Sequence, residues 1–223
     1  MTYALLLLAL VVAVINWAAV VKSWKRAEYV TKPAVMVLLL AWFWQFAGVQ
    51  DGSTWFLAGI LFSMGGDIAL LLPKGWFLVG LVLFLFVQLS YIVGFGSLPP
   101  PVLPGGMILL AISVISIVVL YLKFSAGLKQ KNLKGLNIPV FVYIVMITLM
   151  VLSAWLTFLQ PDWSISHAAL VSAGALLFFA SDGILAWNRF IQPVPHERSI
   201  VMATYHLGQM GIILGAALHF VQS

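Results

Sequence analysis

Apolar residues run along this chain in long unbroken blocks, without the narrow stripes of surface helices. Each block is long enough to cross a bilayer, which takes about 20 residues at 1.5 Å rise per residue. The blocks predict membrane-spanning helices at 3–22, 33–50, 54–73, 75–96, 105–123, 138–159, 167–188 and 199–220. Turn-forming residues punctuate them. Pro33 is read as opening the second helix, and Asp51-Gly52-Ser53 as closing it. Pro73-Lys74-Gly75, Leu98-Pro99-Pro100-Pro101, Pro104-Gly105-Gly106, Gln160-Pro161-Asp162 and Gln192-Pro193-Val194-Pro195 mark further breaks. Every connection is short, so residues 1–223 form a single integral membrane domain, an all-α polytopic bundle.

Composition agrees with the pattern: 63% of the 223 residues are hydrophobic and 8% are charged, too few charges to cover a soluble domain of this length. The net charge of +5 does not point to nucleic acid, because the basic residues sit between the apolar blocks. All 11 of them fall in alternate connections: Lys22, Lys25, Arg26 and Lys32, then Lys74, then Lys123, Lys129, Lys131 and Lys134, then Arg189 and Arg198. The opposite connections carry only Asp51 and Asp162. Positive-inside bias therefore orients eight spans with both termini on the non-cytoplasmic side of the cell (inner) membrane. The first block has no basic residue before it and is read as a retained helix, not a cleaved signal. With no cysteine, thiolate metal sites and cysteine nucleophiles are excluded, and four scattered histidines do not make a zinc site. No metal or organic cofactor is expected.

A weak internal repeat suggests two four-helix halves of the same orientation. Gly66-Asp67 precedes Lys74 by the spacing at which Ser181-Asp182 precedes Arg189, and Ser90-Tyr91 with Gly94 resembles Thr204-Tyr205 with Gly208. The two Asp positions stand 115 residues apart and the two Tyr positions 114.

Four of the six acidic residues are assigned to connections; Asp67 and Asp182 are not. Each lies seven residues before a basic residue, roughly 10 Å inside its helix end. A carboxylate in hydrocarbon costs at least a few kcal/mol, so each must face the bundle interior or water. Two carboxyls at one depth do not both ionise cheaply, which makes an acid and a base of the same residue type. They are the candidate catalytic pair; the alternative is that each caps polar groups at a helix junction. Tyr205, His206 and Gln209 on the eighth helix overlap them in depth, and Gln88, Ser90 and Tyr91 on the fourth, Ser63 one turn before Asp67, and Ser181 are nearby candidates. Asp67, Asp182, Tyr205 and Gln209 are expected to line one polar pocket. Tyr205, Gln209, His206, Tyr91, Gln88, Ser63 and Ser181 are taken as substrate-binding, with interhelical hydrogen bonding as the plainer alternative. Gly65-Gly66, Gly174 and Gly208 are read as close-packing residues, and Trp24, Trp55, Trp76, Trp163 and Trp187 as an interfacial belt. Trp42 and Trp44 are read as anchors too, and His196 with Glu197 and Arg198 as an exposed turn.

The segments Gly66-Asp67-Ile68-Ala69-Leu70-Leu71-Leu72-Pro73, Ser181-Asp182-Gly183-Ile184-Leu185-Ala186-Trp187-Asn188-Arg189-Phe190 and Tyr205-His206-Leu207-Gly208-Gln209 resemble the YhhN family of eight-helix membrane proteins, which includes the animal lysoplasmalogenases. The resemblance extends over the whole chain in length, helix count and motif order. The chain departs from it at Gln88, where many relatives carry a His on the fourth helix. The resemblance implies hydrolysis of the vinyl-ether bond of a lysoplasmalogen, a membrane lysophospholipid, to a fatty aldehyde and a glycerophospho-ethanolamine or -choline. Paired carboxyls suit that chemistry, as in inverting glycosidases. A proton-coupled small-molecule or lipid transporter would use the same Asp pair, and a non-catalytic lipid-binding protein would use neither.

Overall fold

The computed structural model describes residues 3–96 and 104–222, and of Lys74 the backbone alone. The Pro99-Pro100-Pro101 break lies outside the described residues. Eight helices long and apolar enough to cross a membrane account for nearly all of them: α1 Ala4–Val21, α2 Lys25–Ala47, α3 Ser53–Leu71, α4 Phe77–Gly94, α5 Pro104–Gln130, α6 Asn137–Leu156, α7 Ile165–Phe190 and α8 Glu197–Gln222. Single 3₁₀ turns precede α4 and α6 and extend α6 to Leu159. No strand occurs among the described residues.

Two boundaries differ from the sequence expectation, both by extension at the basic end of the bundle. α2 begins at Lys25, and Pro33 lies inside it. Pro33 offers no N–H to the preceding turn, which ordinarily ends or kinks a helix. Here that turn is held from outside, where Tyr29 Oη donates to the Leu71 carbonyl at 2.6 Å and the Arg198 guanidinium donates to both Glu28 oxygens at 2.7 and 2.6 Å, and from within, where Thr31 donates to the Ala27 carbonyl at 2.7 Å. Glu28 is thus a buried helical residue, not a loop residue, and the 196–198 turn is a tether between α8 and α2. α5 runs on to Gln130 because its apolar face continues past Lys123: Phe124 and Leu128 are buried with Val140, Ile144 and Phe190. Elsewhere α5 is the most lipid-exposed of the eight.

Neighbouring helices pack pairwise, α1 on α2, α3 on α4, α5 on α6 and α7 on α8. Between the halves α4 packs on α6 and α8 on α2, the exchange expected of two similarly oriented four-helix units. The α7–α8 contact is the closest, and glycines make it. A Cβ on Gly174 would stand 2.5 Å from the Ile212 backbone nitrogen, and one on Gly208 would stand 2.8 Å from that of Phe178. Gly66 meets the Phe84 ring, where a Cβ would stand at 2.8 Å; Gly65 is looser. Two belt assignments fail: Trp42 is buried and stacks on Phe46, and Trp163 is buried and stacks on His219 at 4.0 Å between ring centroids. Trp24, Trp44, Trp55 and Trp76 are exposed, as anchors require.

Candidate active site

α3 ends one turn beyond Asp67, which puts this carboxyl near the basic end with no solvent exposure. A bare carboxylate there would be prohibitive, and two helices supply its partners. Tyr205 of α8 donates its hydroxyl to Oδ2 at 2.9 Å, and the ammonium of Lys32 on α2 stands 3.1 Å from Oδ1. The Tyr205 ring is fixed edge-on between Phe84 and Phe178, with centroids at 5.8 and 5.6 Å. Lys32 is itself buried, with its side chain 4% exposed. Sequence reasoning counted it among the loop charges that set orientation. The overlooked signal is that it lies ten residues beyond Lys22, on a segment that turns out to be helical.

One turn deeper, Ser63, Gln209 and Tyr91 form a buried relay. Tyr91 Oη donates to Gln209 Oε1 at 2.6 Å, and Gln209 Nε2 donates to Ser63 Oγ at 2.6 Å. All three are at or near zero exposure, so the bonds stand in a dry interior where leaving one unmade is costly.

Asp182 occupies a different setting. It is half-buried on α7 and accepts a short hydrogen bond on Oδ2 from the Tyr143 hydroxyl of α6. Tyr143 had not been singled out, being one hydroxyl in an otherwise apolar stretch. No cation stands within 4.0 Å of Asp182 among the described residues. Gln88 is fully buried beside Tyr143, and neither end of its amide forms a hydrogen bond of acceptable geometry.

The remaining candidates bond to neither carboxyl. His206 Nδ1 accepts from the Trp17 indole at 3.0 Å, so the neutral ring carries its hydrogen on Nε2, which has no partner. Ser181 donates to the Val201 carbonyl at 3.1 Å, tying α7 to α8, and Ser90 donates to the Phe86 carbonyl within its own helix.

The single polar pocket expected from the sequence is divided. Asp67, Tyr205 and Gln209 are buried, bonded among their own partners, and line neither of the two cavities beside them. Two cavities flank them. A charged vestibule of about 590 Å³ opens at the basic end between α2, α3, α7 and α8; Lys25, Glu28, Lys32, Arg189, Glu197 and Arg198 are among its walls. A narrow apolar slot runs beside it between α3, α4, α5, α6 and α7, and its polar groups are Asp182, Tyr143 and Arg189. Leu70, Phe77, Leu185 and Arg189 line both, so the two compartments are adjacent. No set of three or more His, Asp or Glu side chains able to hold a metal occurs among the described residues.

Eight spans, with two carboxyls and a lysine inside them and a charged chamber beside an apolar one, define the class: a polytopic helical membrane protein with acidic residues within its spans. Within that class the chain belongs to the YhhN family, whose profile matches residues 27–216. It is 31% identical over 198 residues to the lysoplasmalogenase TMEM86B of Mus musculus, covering 87% of this chain and 76% of that one. It is 32% identical over 183 residues to the lysoplasmalogenase TMEM86A of Homo sapiens, covering 81% and 72%. Human lysoplasmalogenase TMEM86B is 31% identical over 185 residues, covering 81% and 71%. No solved structure matches the chain.

Proposed function

We propose that the protein hydrolyses the vinyl-ether bond of lysoplasmalogens, releasing a fatty aldehyde and a glycerophospho-ethanolamine or -choline. The observation that carries this reading is the placement of Asp182 and Tyr143 in the wall of an apolar slot beside a charged vestibule, whose wall includes Lys32, the partner of Asp67. The two compartments match the polarity of a single-chain amphiphile, and the slot, about 60 Å³, takes the part of the chain next to the reacting bond. Names of the relatives support the substrate class.

In this reading Asp182 is the proton donor, because it meets the slot and has no cation beside it. Its proton goes to the alkene carbon next to the ether-bearing carbon and leaves an oxocarbenium ion. Asp67, held as a carboxylate by Lys32, stabilises that cation through space, and the proton lost when water adds returns to Asp182, which restores the acid for the next turnover. The resulting hemiacetal collapses: its hydroxyl proton passes to the glycerol oxygen as the C–O bond breaks, giving aldehyde and alcohol. Tyr143 orients Asp182 and Tyr205 orients Asp67. Tyr91, Gln209 and Ser63 hold Tyr205's helix in register, and Gln88, with two unsatisfied amide ends, is placed to bind the attacking water. In the orientation set by the basic residues the vestibule faces the cytoplasm, and the lipid enters sideways from that leaflet.

Purified protein in detergent, given a 1-alkenyl lysophosphatidylethanolamine, should release aldehyde, read by coupled reduction with NADH. Asp67→Asn and Asp182→Asn should each lower turnover by about a hundredfold or more while leaving the fold intact. A transporter would need sealed vesicles and release no aldehyde. Normal turnover in either well-folded Asn variant would refute the two-carboxylate mechanism.

A further inference from the structure

Arg189 has no part in the reaction above, yet among the described residues it is the one charged side chain that lines both the vestibule and the slot. Its position is fixed on three sides. The guanidinium carbon stands 3.5 Å from the centroid of the Phe77 ring, which also lines both cavities. Lys131 Nζ donates to the Arg189 carbonyl at 2.9 Å, and Asn188 Oδ1 accepts from the Val194 backbone at 2.9 Å, closing the turn that follows. Stacking occupies the face of the guanidinium and leaves its in-plane N–H groups free for oxygen ligands.

The vestibule's ionic groups then sort themselves. Arg198 is bound by Glu28 and Lys32 by Asp67. Among the described residues no carboxylate stands within 4.0 Å of Arg189 or Lys25, and Glu197 in the same wall forms no ion pair, so the two cations exceed the unpaired carboxylate of this cavity by one charge. An anion with two or three oxygens would match the planar fork and add charge balance.

We infer that Arg189, with Lys25, binds the phosphate of a single-chain phospholipid and thereby sets the depth to which its chain enters the slot. The inference rests on the reading of slot and vestibule as one lipid site; it adds that selection is made at the phosphate. A free phosphoester offers the same chemistry, so chain and phosphate must be varied separately.

Three probes do this with the intact protein in nanodiscs: lysophosphatidylethanolamine, whose ester does not undergo the vinyl-ether reaction; the monoacylglycerol of the same chain, which lacks phosphate; and glycerophosphoethanolamine, which lacks the chain. The native protein should bind the first at least about tenfold more tightly than either of the others. Arg189→Gln should weaken lysophosphatidylethanolamine by about 10–100-fold, the range expected for a charge-assisted pair, and leave the monoacylglycerol unchanged. Lys25→Gln should do the same more weakly, and Arg189→Lys should restore part of the loss. Equal weakening of both chain-bearing probes by Arg189→Gln would assign Arg189 to the slot wall and overturn the inference. So would equal affinity for the two in the native protein. Glycerophosphoethanolamine binding as tightly as the lysolipid would also overturn it, by assigning the site to a soluble ligand. Arg189-dependent lysolipid binding without aldehyde release from the vinyl-ether lipid would uphold the phosphate site and sink the reaction.

Discussion

Removing Lys32 breaks the one ion pair among the described residues in which both side chains are buried. The ammonium and the Asp67 carboxylate are 3.1 Å apart, with side chains 4% and 0% exposed. At that distance and an effective dielectric near 20 their attraction is about 5 kcal/mol, set against a desolvation cost of several kcal/mol for each ion. The intact pair therefore adds little net stability, whereas breaking it strands a buried charge. Lys32→Met should destabilise the protein by about 3–5 kcal/mol, the usual cost of removing one member of a buried pair. Asp67→Asn alone should cost less than Lys32→Met, since a lysine has a long stem and a vestibule in which to rehydrate its ammonium. In the double variant Lys32→Met/Asp67→Asn no charge is stranded, and most of the loss should return. Equilibrium denaturation in mixed micelles across the four proteins gives the coupling energy directly. Aldehyde release should stay abolished in the double variant, because stability and chemistry depend on the pair in different ways. Simple additivity of the two single losses would refute the argument, since it would mean that the groups do not act on each other.

Tyr205→Phe removes a 2.9 Å hydrogen bond to a charged acceptor and should cost about 1.5–3 kcal/mol in the same denaturation assay, with loss of turnover. Gly208→Val places side-chain atoms where a Cβ already meets the α7 backbone at 2.8 Å; folded yield on size-exclusion chromatography should collapse, while Gly65→Ala, at 3.4 Å from a leucine methyl, should be tolerated. Cysteines introduced at the exposed positions Asp51 and Ser166 should react with an impermeant reagent from outside the cell, and one at Gln130 only after lysis; external labelling of Gln130→Cys would overturn the eight-span orientation.

The eight helices were readable because bilayer thickness and basic-residue placement are independent constraints that agree. The start of α2 was not readable, because Pro33 is a good first residue of a helix and nothing local says otherwise; the bonds from Tyr29, Glu28 and Thr31 that carry the helix through it are mostly tertiary. The same misreading hid Lys32, which looked like one orientation charge among four. Asp67 and Asp182 stood out since intramembrane carboxyls are rare, and Tyr205, Gln209, Tyr91 and Ser63 followed from helical spacing and depth. Tyr143 gave no such signal, because a single tyrosine in an apolar helix is as often an ordinary packing residue. The division of the expected pocket was also beyond sequence, since it depends on how completely the side chains around Asp67 satisfy one another.

The glycines of α7 and α8 leave no side chain between the two backbones, and α3 and α4 are also closely packed. Each pair therefore moves as one stiff blade. Asp182 and Tyr205 ride on one blade, Asp67 and Tyr91 on the other, and the links from Tyr205 to Asp67 and from Gln209 to Ser63 and Tyr91 act as latches across the seam. The gap between the two carboxyls is thus an adjustable dimension, set by a few hydroxyl and amide contacts, while the geometry inside each blade is not. Changes to a latch that touches no lipid should tune turnover continuously, whereas changes within a blade should act as all or nothing.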